Sequence, residues 1–197
     1  MESSDRVKQI FTKSAELQNE SVNILAKSIS DAAQNIANCF LDNNKLLICG
    51  NGNAAALAQL LTDKLINRYE YPRPGLPAIL LNNNISTIFS IANDTQYSEI
   101  FSKQIRALGN SGDILVIVSS DKESPCIFEA IDAAHEREMR IISINATENE
   151  KLDITIQYDD IYISVINDSI SRVQEIQLII IHCICDLIDR QLLGLEG

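Results

Sequence analysis

Three stretches of this chain carry side chains whose type and spacing suit ligand chemistry. Cys49-Gly50-Asn51-Gly52-Asn53-Ala54-Ala55 closes one apolar run and opens a helical stretch. Glycines permit a tight turn there, and the start of a helix offers backbone N–H groups to an anion or a sugar oxygen. Asn51, Gly52 and Asn53 are the candidates, although a plain strand-to-helix connection uses the same residues. Ser119-Ser120-Asp121-Lys122-Glu123-Ser124 follows a second apolar run. The hydroxyls of Ser119, Ser120 and Ser124 suit a phosphate or a sugar hydroxyl, whereas Asp121 and Glu123 repel a dianion. Capping and turn chemistry accounts for this stretch equally well. The third stretch is the apolar pattern over 169–192, which carries Gln174 and His182. Eight positions are a little over two helical turns, so these two side chains share a stripe. A lone histidine in such a run is more often a satisfied core residue than a catalyst. His135, beside Asp132, Glu136 and Arg137, reads as surface.

The elements that position these residues follow from periodicity. Apolar residues recur every three to four positions over 4–41, which predicts a helical arm, with Asn19-Glu20-Ser21 a candidate break and Ser21 a plausible cap. Short runs of Ile, Leu and Val at 45–49, 78–81, 113–118 and 140–144, with a weaker one at 154–157, predict strands. Helical stretches at 54–69, 85–92, 98–108, 124–137 and 169–192 separate or follow them. Continuous apolar strands alternating with helices indicate a parallel sheet covered on both faces. The expected class is α/β, a three-layer αβα sandwich of about five strands, with ligands beyond the carboxyl ends of the strands. One domain over 1–197 is expected, made of an arm (1–42) and a core (43–197). The last helix is apolar on every side and so must be buried on every side, which makes an oligomer interface its natural place.

Composition removes several function classes. The 197 residues hold 16 Lys and Arg against 27 Asp and Glu, a formal charge of −11. Such a chain repels phosphate backbones, so no direct nucleic-acid binding is expected. No apolar run approaches the length of a membrane span, and the charged first twenty residues do not read as a secretory signal. Five cysteines (39, 49, 126, 183, 185) without C-x-x-C spacing read as free thiols of a cytoplasmic protein. Cys183 and Cys185, two apart on a helix, face different ways and cannot chelate one ion together.

Taken in order, CGNG at 49–52, NRYEYPRPGLPAI at 67–79, IANDTQYSEIFSKQIRALG at 91–109, GDILVIVSS at 112–120 and RVQEIQLIIIHCICDLID at 172–189 resemble the sugar isomerase (SIS) domain family. The resemblance is to its phosphoheptose isomerase branch and to the related DiaA-type protein that associates with the initiator DnaA. It covers nearly the whole chain. It implies a homotetramer of flavodoxin-like subunits with clefts at the subunit boundaries. In the isomerases it implies a glutamate base, an assisting histidine and often a zinc ion. Asn51, Gly52, Asn93, Asp94, Ser119, Ser124, Gln174 and His182 match the ligand-contacting residues of the family, and Ser120 is a mild change from threonine.

Other positions depart from that pattern. Lys64 stands at the base position and Leu60 at that of a metal-binding histidine. Ala54 replaces a serine, Asp121 a phosphate-holding serine, and Ser171 an aspartate. Proton abstraction needs an unprotonated base, and lysine has a reference pKa of about 10.4. Leucine offers zinc nothing, and an ammonium repels it. These changes lead to the expectation of a DiaA-like homotetramer that binds DnaA without isomerase turnover, with Leu192 and Leu193 as partner contacts and no metal. The alternative is a phosphoheptose isomerase acting on sedoheptulose 7-phosphate, with His182 catalytic and zinc as the implied cofactor. A third reading is a phosphosugar-binding sensor.

Overall fold

The computed structural model describes residues 2–120, 124–146 and 159–195. Helix α1 runs over Ser3–Leu41 as one piece. The break expected at Asn19-Glu20-Ser21 does not occur, because no glycine or proline between 3 and 41 stops the helix. Leu25, Ala32, Ala33, Ile36, Ala37 and Cys39 are buried, whereas Val7, Phe11, Val22 and Ile24 are exposed. Asn43 ends the arm with φ of 61°, a conformation asparagine tolerates better than most residues.

The core alternates as expected through its first four strands, and a further strand lies at Ile161–Ser164, where none was expected. Strands β1 (Leu46–Gly50), β2 (Ala78–Leu80), β3 (Ile114–Val118), β4 (Arg140–Asn145) and β5 (Ile161–Ser164) form one parallel sheet in the order β2-β1-β3-β4-β5. This is the flavodoxin-like order, whose strand direction of growth reverses at β1 and β3. Between the strands lie α2 (Ala54–Ile66), α3 (Ile85–Asp94), α4 (Ser102–Leu108) and α5 (Pro125–Glu136), and α6 (Ile170–Leu193) closes the chain. The weak strand expected at 154–157 lies outside the described residues. Helix α2 stops at Ile66 rather than near Tyr69. The stretch expected as one helix over 98–108 is a 3-10 turn, Tyr97–Glu99, followed by α4.

Side chains alternate across the sheet, and each face meets its own layer. Leu46, Ile48, Val116 and Val118 pack with α1, α2 and α6. Leu47, Cys49, Leu115 and Ile117 pack on the other face with α4 and α5, and with α3 at its edge. The three-layer sandwich is therefore present. The long helices α1 and α6 share one face and pack closely along each other.

Candidate functional site

At the carboxyl end of β1 the chain turns with almost no room. A Cβ on Gly50 would lie 2.8 Å from the backbone oxygen of Ala54, and Gly52 has φ of +52°. The N–H groups of Ala54, Ala55 and Ala56 donate to the carbonyls of Asn51, Gly52 and Asn53 at 3.0, 3.2 and 3.3 Å. The first turn of α2 is therefore partly spent on its own loop. Asn82, beyond β2, braces the turn: Gly50 N–H donates to Asn82 Oδ1 at 3.0 Å, and Asn82 Nδ2 donates back to Gly50 O at 2.7 Å. Sequence reasoning missed Asn82, because three consecutive asparagines at 82–84 look like ordinary loop polarity.

At the carboxyl end of β3, Ser119 is buried and its N–H donates to Ile144 O at 3.0 Å. Gln177 of α6, with 0% exposure, ties this edge together. Its Nε2 donates to Ser119 O at 2.8 Å and Ile144 O at 3.2 Å, and its Oε1 accepts from Ser120 Oγ at 3.5 Å. Ser124 caps α5 ahead of Pro125 and is buried, without a side-chain capping bond. Asp121 lies outside the described residues. Asn93 and Asp94 are exposed on the last turn of α3, where Ser90 Oγ donates to Asp94 Oδ2 at 3.4 Å. Gly52 and Asn53 are also exposed.

Polar atoms remain open here. Among the described residues, the buried side-chain atoms without a hydrogen-bond partner are Asn51 Oδ1, Asn145 Oδ1, Ser164 Oγ, Gln174 Nε2 and Asp189 Oδ2. The first three sit on or just beyond strand carboxyl ends, and Gln174 lies in the second turn of α6. Buried polar groups normally find partners, so atoms left open at one sheet edge mark where a ligand would complete them.

Farther along α2 and α6 a second group gathers. The ring of Tyr69 lies 5.8 Å from that of His182 at 35°, and Lys64 Nζ lies 5.7 Å from the Tyr69 centroid. Burial raises the Tyr69 phenol above its ordinary range. Arg73 fixes the backbone behind this group. Its Nε donates to Asp189 Oδ1 at 2.5 Å, and its terminal nitrogens donate to Lys64 O and Leu65 O, each at 2.9 Å. This ion pair is buried, with 2% and 0% side-chain exposure. His135, read as surface, is instead half-buried at the opposite sheet edge, with Nε2 2.8 Å from Asp160 Oδ2.

The thiols near this site are disfavoured as thiolates by their burial. Burial pushes the Cys49 thiol far above its ordinary range, raises Cys126 and Cys183, and takes Cys185 to about 12. Nor do the side chains present fit a zinc ion. Leu60 and Lys64 supply no ligand, and no group of three His, Cys, Asp or Glu side chains suited to a metal exists among the described residues. Among those residues no helix is long and apolar enough to cross a membrane.

Comparison with known proteins places these observations. The SIS domain matches residues 9–146. A phosphoheptose isomerase of Methylococcus capsulatus is 44% identical over 190 residues, covering 96% of this chain and 97% of that protein. A second, from Halorhodospira halophila, is 43% identical over the full length of both. The solved structure of a phosphoheptose isomerase from Francisella tularensis superposes with a TM-score of 0.91 at 37% identity, over 96% of this chain and 100% of that one. These findings overturn the expectation of a DnaA-binding, DiaA-like scaffold: the full-length relatives and the solved structure carry the isomerase name. The expectation leaned on single residue types, chiefly Lys64, over a scaffold shared end to end. Of its two proposed contact residues, Leu192 is partly buried against the protein's own core and Leu193 is exposed.

Proposed function

The chain belongs to the SIS domain family, and from that premise we propose that it is a phosphoheptose isomerase, converting sedoheptulose 7-phosphate to D-glycero-D-manno-heptose 7-phosphate. The observation that carries this reading is the near-complete match, at 43–44% identity, to two proteins of that name. The reaction moves one proton between neighbouring carbons through an enediol. It needs a proton carrier beside the reacting carbons and donors for hydroxyls and phosphate. Imidazole is the side chain ordinarily suited to carry a proton near neutrality, which supports His182 in that role. Gln174 and Asn51 present buried polar atoms without protein partners. The Ser119, Ser120 and Ser124 hydroxyls at the β3 edge suit the remaining sugar and phosphate oxygens. Gln174 and His182 are separated by about 12 Å of helical rise, comparable to an extended heptose phosphate. Because the residues do not fit zinc, no step is assigned to it.

We further propose a homotetramer, supported by the exposed Val7, Phe11, Val22 and Ile24 of α1 and Ile179 of α6. Light scattering after gel filtration tests it: a mass of four chains is expected, and a monomer contradicts it. For the activity, the purified chain is incubated with sedoheptulose 7-phosphate, with and without added zinc, and products are separated against a heptose 7-phosphate standard. Product in both arms is expected. No product at high enzyme concentration in either arm contradicts the reading.

A further inference from the structure

We propose that Lys64 is the electrophile of the isomerisation: its ammonium polarises the ketose carbonyl and holds the enediolate oxygen, so that the reaction needs no metal ion. The proposal rests on the isomerase reading above and assigns the part of that chemistry which His182 cannot supply. Breaking a C–H bond beside a carbonyl places negative charge on the carbonyl oxygen, and a fixed donor or cation at that oxygen lowers the barrier. Among the candidate residues, Lys64 carries the positive charge on the same aromatic ring as the candidate proton carrier. Its Nζ stands 5.7 Å from the centroid of Tyr69, and the His182 ring packs on that tyrosine at 5.8 Å. An ammonium near a ring face is attracted by the ring quadrupole, which gives a flexible side chain a resting place.

The surroundings fix the parts that a lysine stem leaves loose. Arg73 donates to the carbonyls of Lys64 and Leu65, which holds the last turn of α2. The same guanidinium pairs with buried Asp189, seven residues beyond His182 on α6. The two helices that carry Lys64 and His182 are therefore pinned to each other through one side chain. Lys64 itself is half-buried, so its charge is only partly screened by water.

The step balances without an outside reactant. An imidazole nitrogen of His182 takes a proton from C1. The C–H electrons form the C1–C2 double bond, and the carbonyl π pair moves to O2. The Lys64 ammonium gives a proton to O2 and recovers the one that O1 releases as C1 becomes the aldehyde. The imidazolium returns its proton to C2. Nothing is oxidised or reduced overall, and both side chains end as they began.

The test compares the wild-type chain, Lys64→Met and Lys64→Arg in buffer containing a strong chelator. Melting curves first establish that each variant is folded. The wild type is expected to turn over sedoheptulose 7-phosphate under chelation. Lys64→Met keeps the stem and loses the charge, and is expected to lose about a hundredfold in kcat with KM changed little. Lys64→Arg keeps the charge but cannot release a proton, and is expected to fall between the two. Equal kcat for wild type and Lys64→Met overturns the assignment while leaving the isomerase reading intact. Activity abolished by the chelator and restored by zinc overturns it as well. No turnover by the wild type, with or without chelator, overturns both.

Discussion

The two edges of the single parallel sheet are built from similar residues and finished in opposite ways. At the amino edge, most hydrogen-bonding groups are tied off within the chain, the second carboxylate oxygen of buried Asp189 being the exception among the described residues. The Asp113 carboxylate accepts from Lys45 N–H, Asn110 N–H and Lys45 Nζ. Asp160 accepts from Ile141 N–H and pairs with His135. Arg137 donates to Gly109 O, and Arg106 grips Glu136 with two bonds. At the carboxyl edge, Asn51, Asn145 and Ser164 each keep a buried polar atom without a partner. One edge spends most of its polar groups within the chain, and the other keeps three buried polar atoms open. In open α/β sheets ligands bind beyond the carboxyl ends of the strands, where the strand order reverses.

The largest expected break in this contrast is Asp113→Ala. It strands two backbone N–H groups and a lysine at the amino edge, and should cost about 3 kcal/mol, read as a lower urea midpoint at unchanged slope. Gln177→Leu comes next. It belongs to the carboxyl edge but is tied like the amino one, and it leaves the carbonyls of Ser119 and Ile144 without its amide. A loss of about 2 kcal/mol is expected, together with a raised KM, because Ser120 loses the acceptor that orients it.

These two residues also measure how far the sequence could be read. The strands at 113–118 and 140–144 were legible because continuous Ile, Leu and Val runs have few other uses. Gly50 and Gly52 were legible because a turn between strand and helix needs them. Gln177 was not, since one glutamine in an apolar helix carries no sign of which carbonyls it will meet. The Arg73–Asp189 pair joins residues 116 positions apart and exists only once α2 and α6 are packed. His135 was misread because neighbouring charges suggested solvent, whereas Asp160 reaches it from the approach to β5. The function was misread for a related reason: one lysine in place of a carboxylate says much about a single proton transfer and little about the scaffold around it.

Smaller effects sharpen the contrast. Asn51→Ala removes an atom that the fold leaves unpartnered, so stability should change by less than about 0.5 kcal/mol. Its KM for sedoheptulose 7-phosphate should rise about tenfold, the worth of one ligand hydrogen bond. The smallest effect is at the exposed amino edge. The Arg106 guanidinium holds the Glu136 carboxyl below the usual carboxylate range. Whatever the pair adds is therefore present above that range and fades as pH falls through the lowered value. Glu136→Gln should shift the urea midpoint slightly at neutral pH, less at lower pH, and not at all in high salt.

The most direct test of the account follows hydrogen rather than product. Sedoheptulose 7-phosphate is dissolved in D2O with the purified chain and observed by proton NMR. Loss of a C1 hydrogen signal by solvent exchange and growth of an aldose anomeric signal are expected, both absent when His182→Asn replaces the wild type. A spectrum that stays unchanged with abundant wild-type protein would contradict the account.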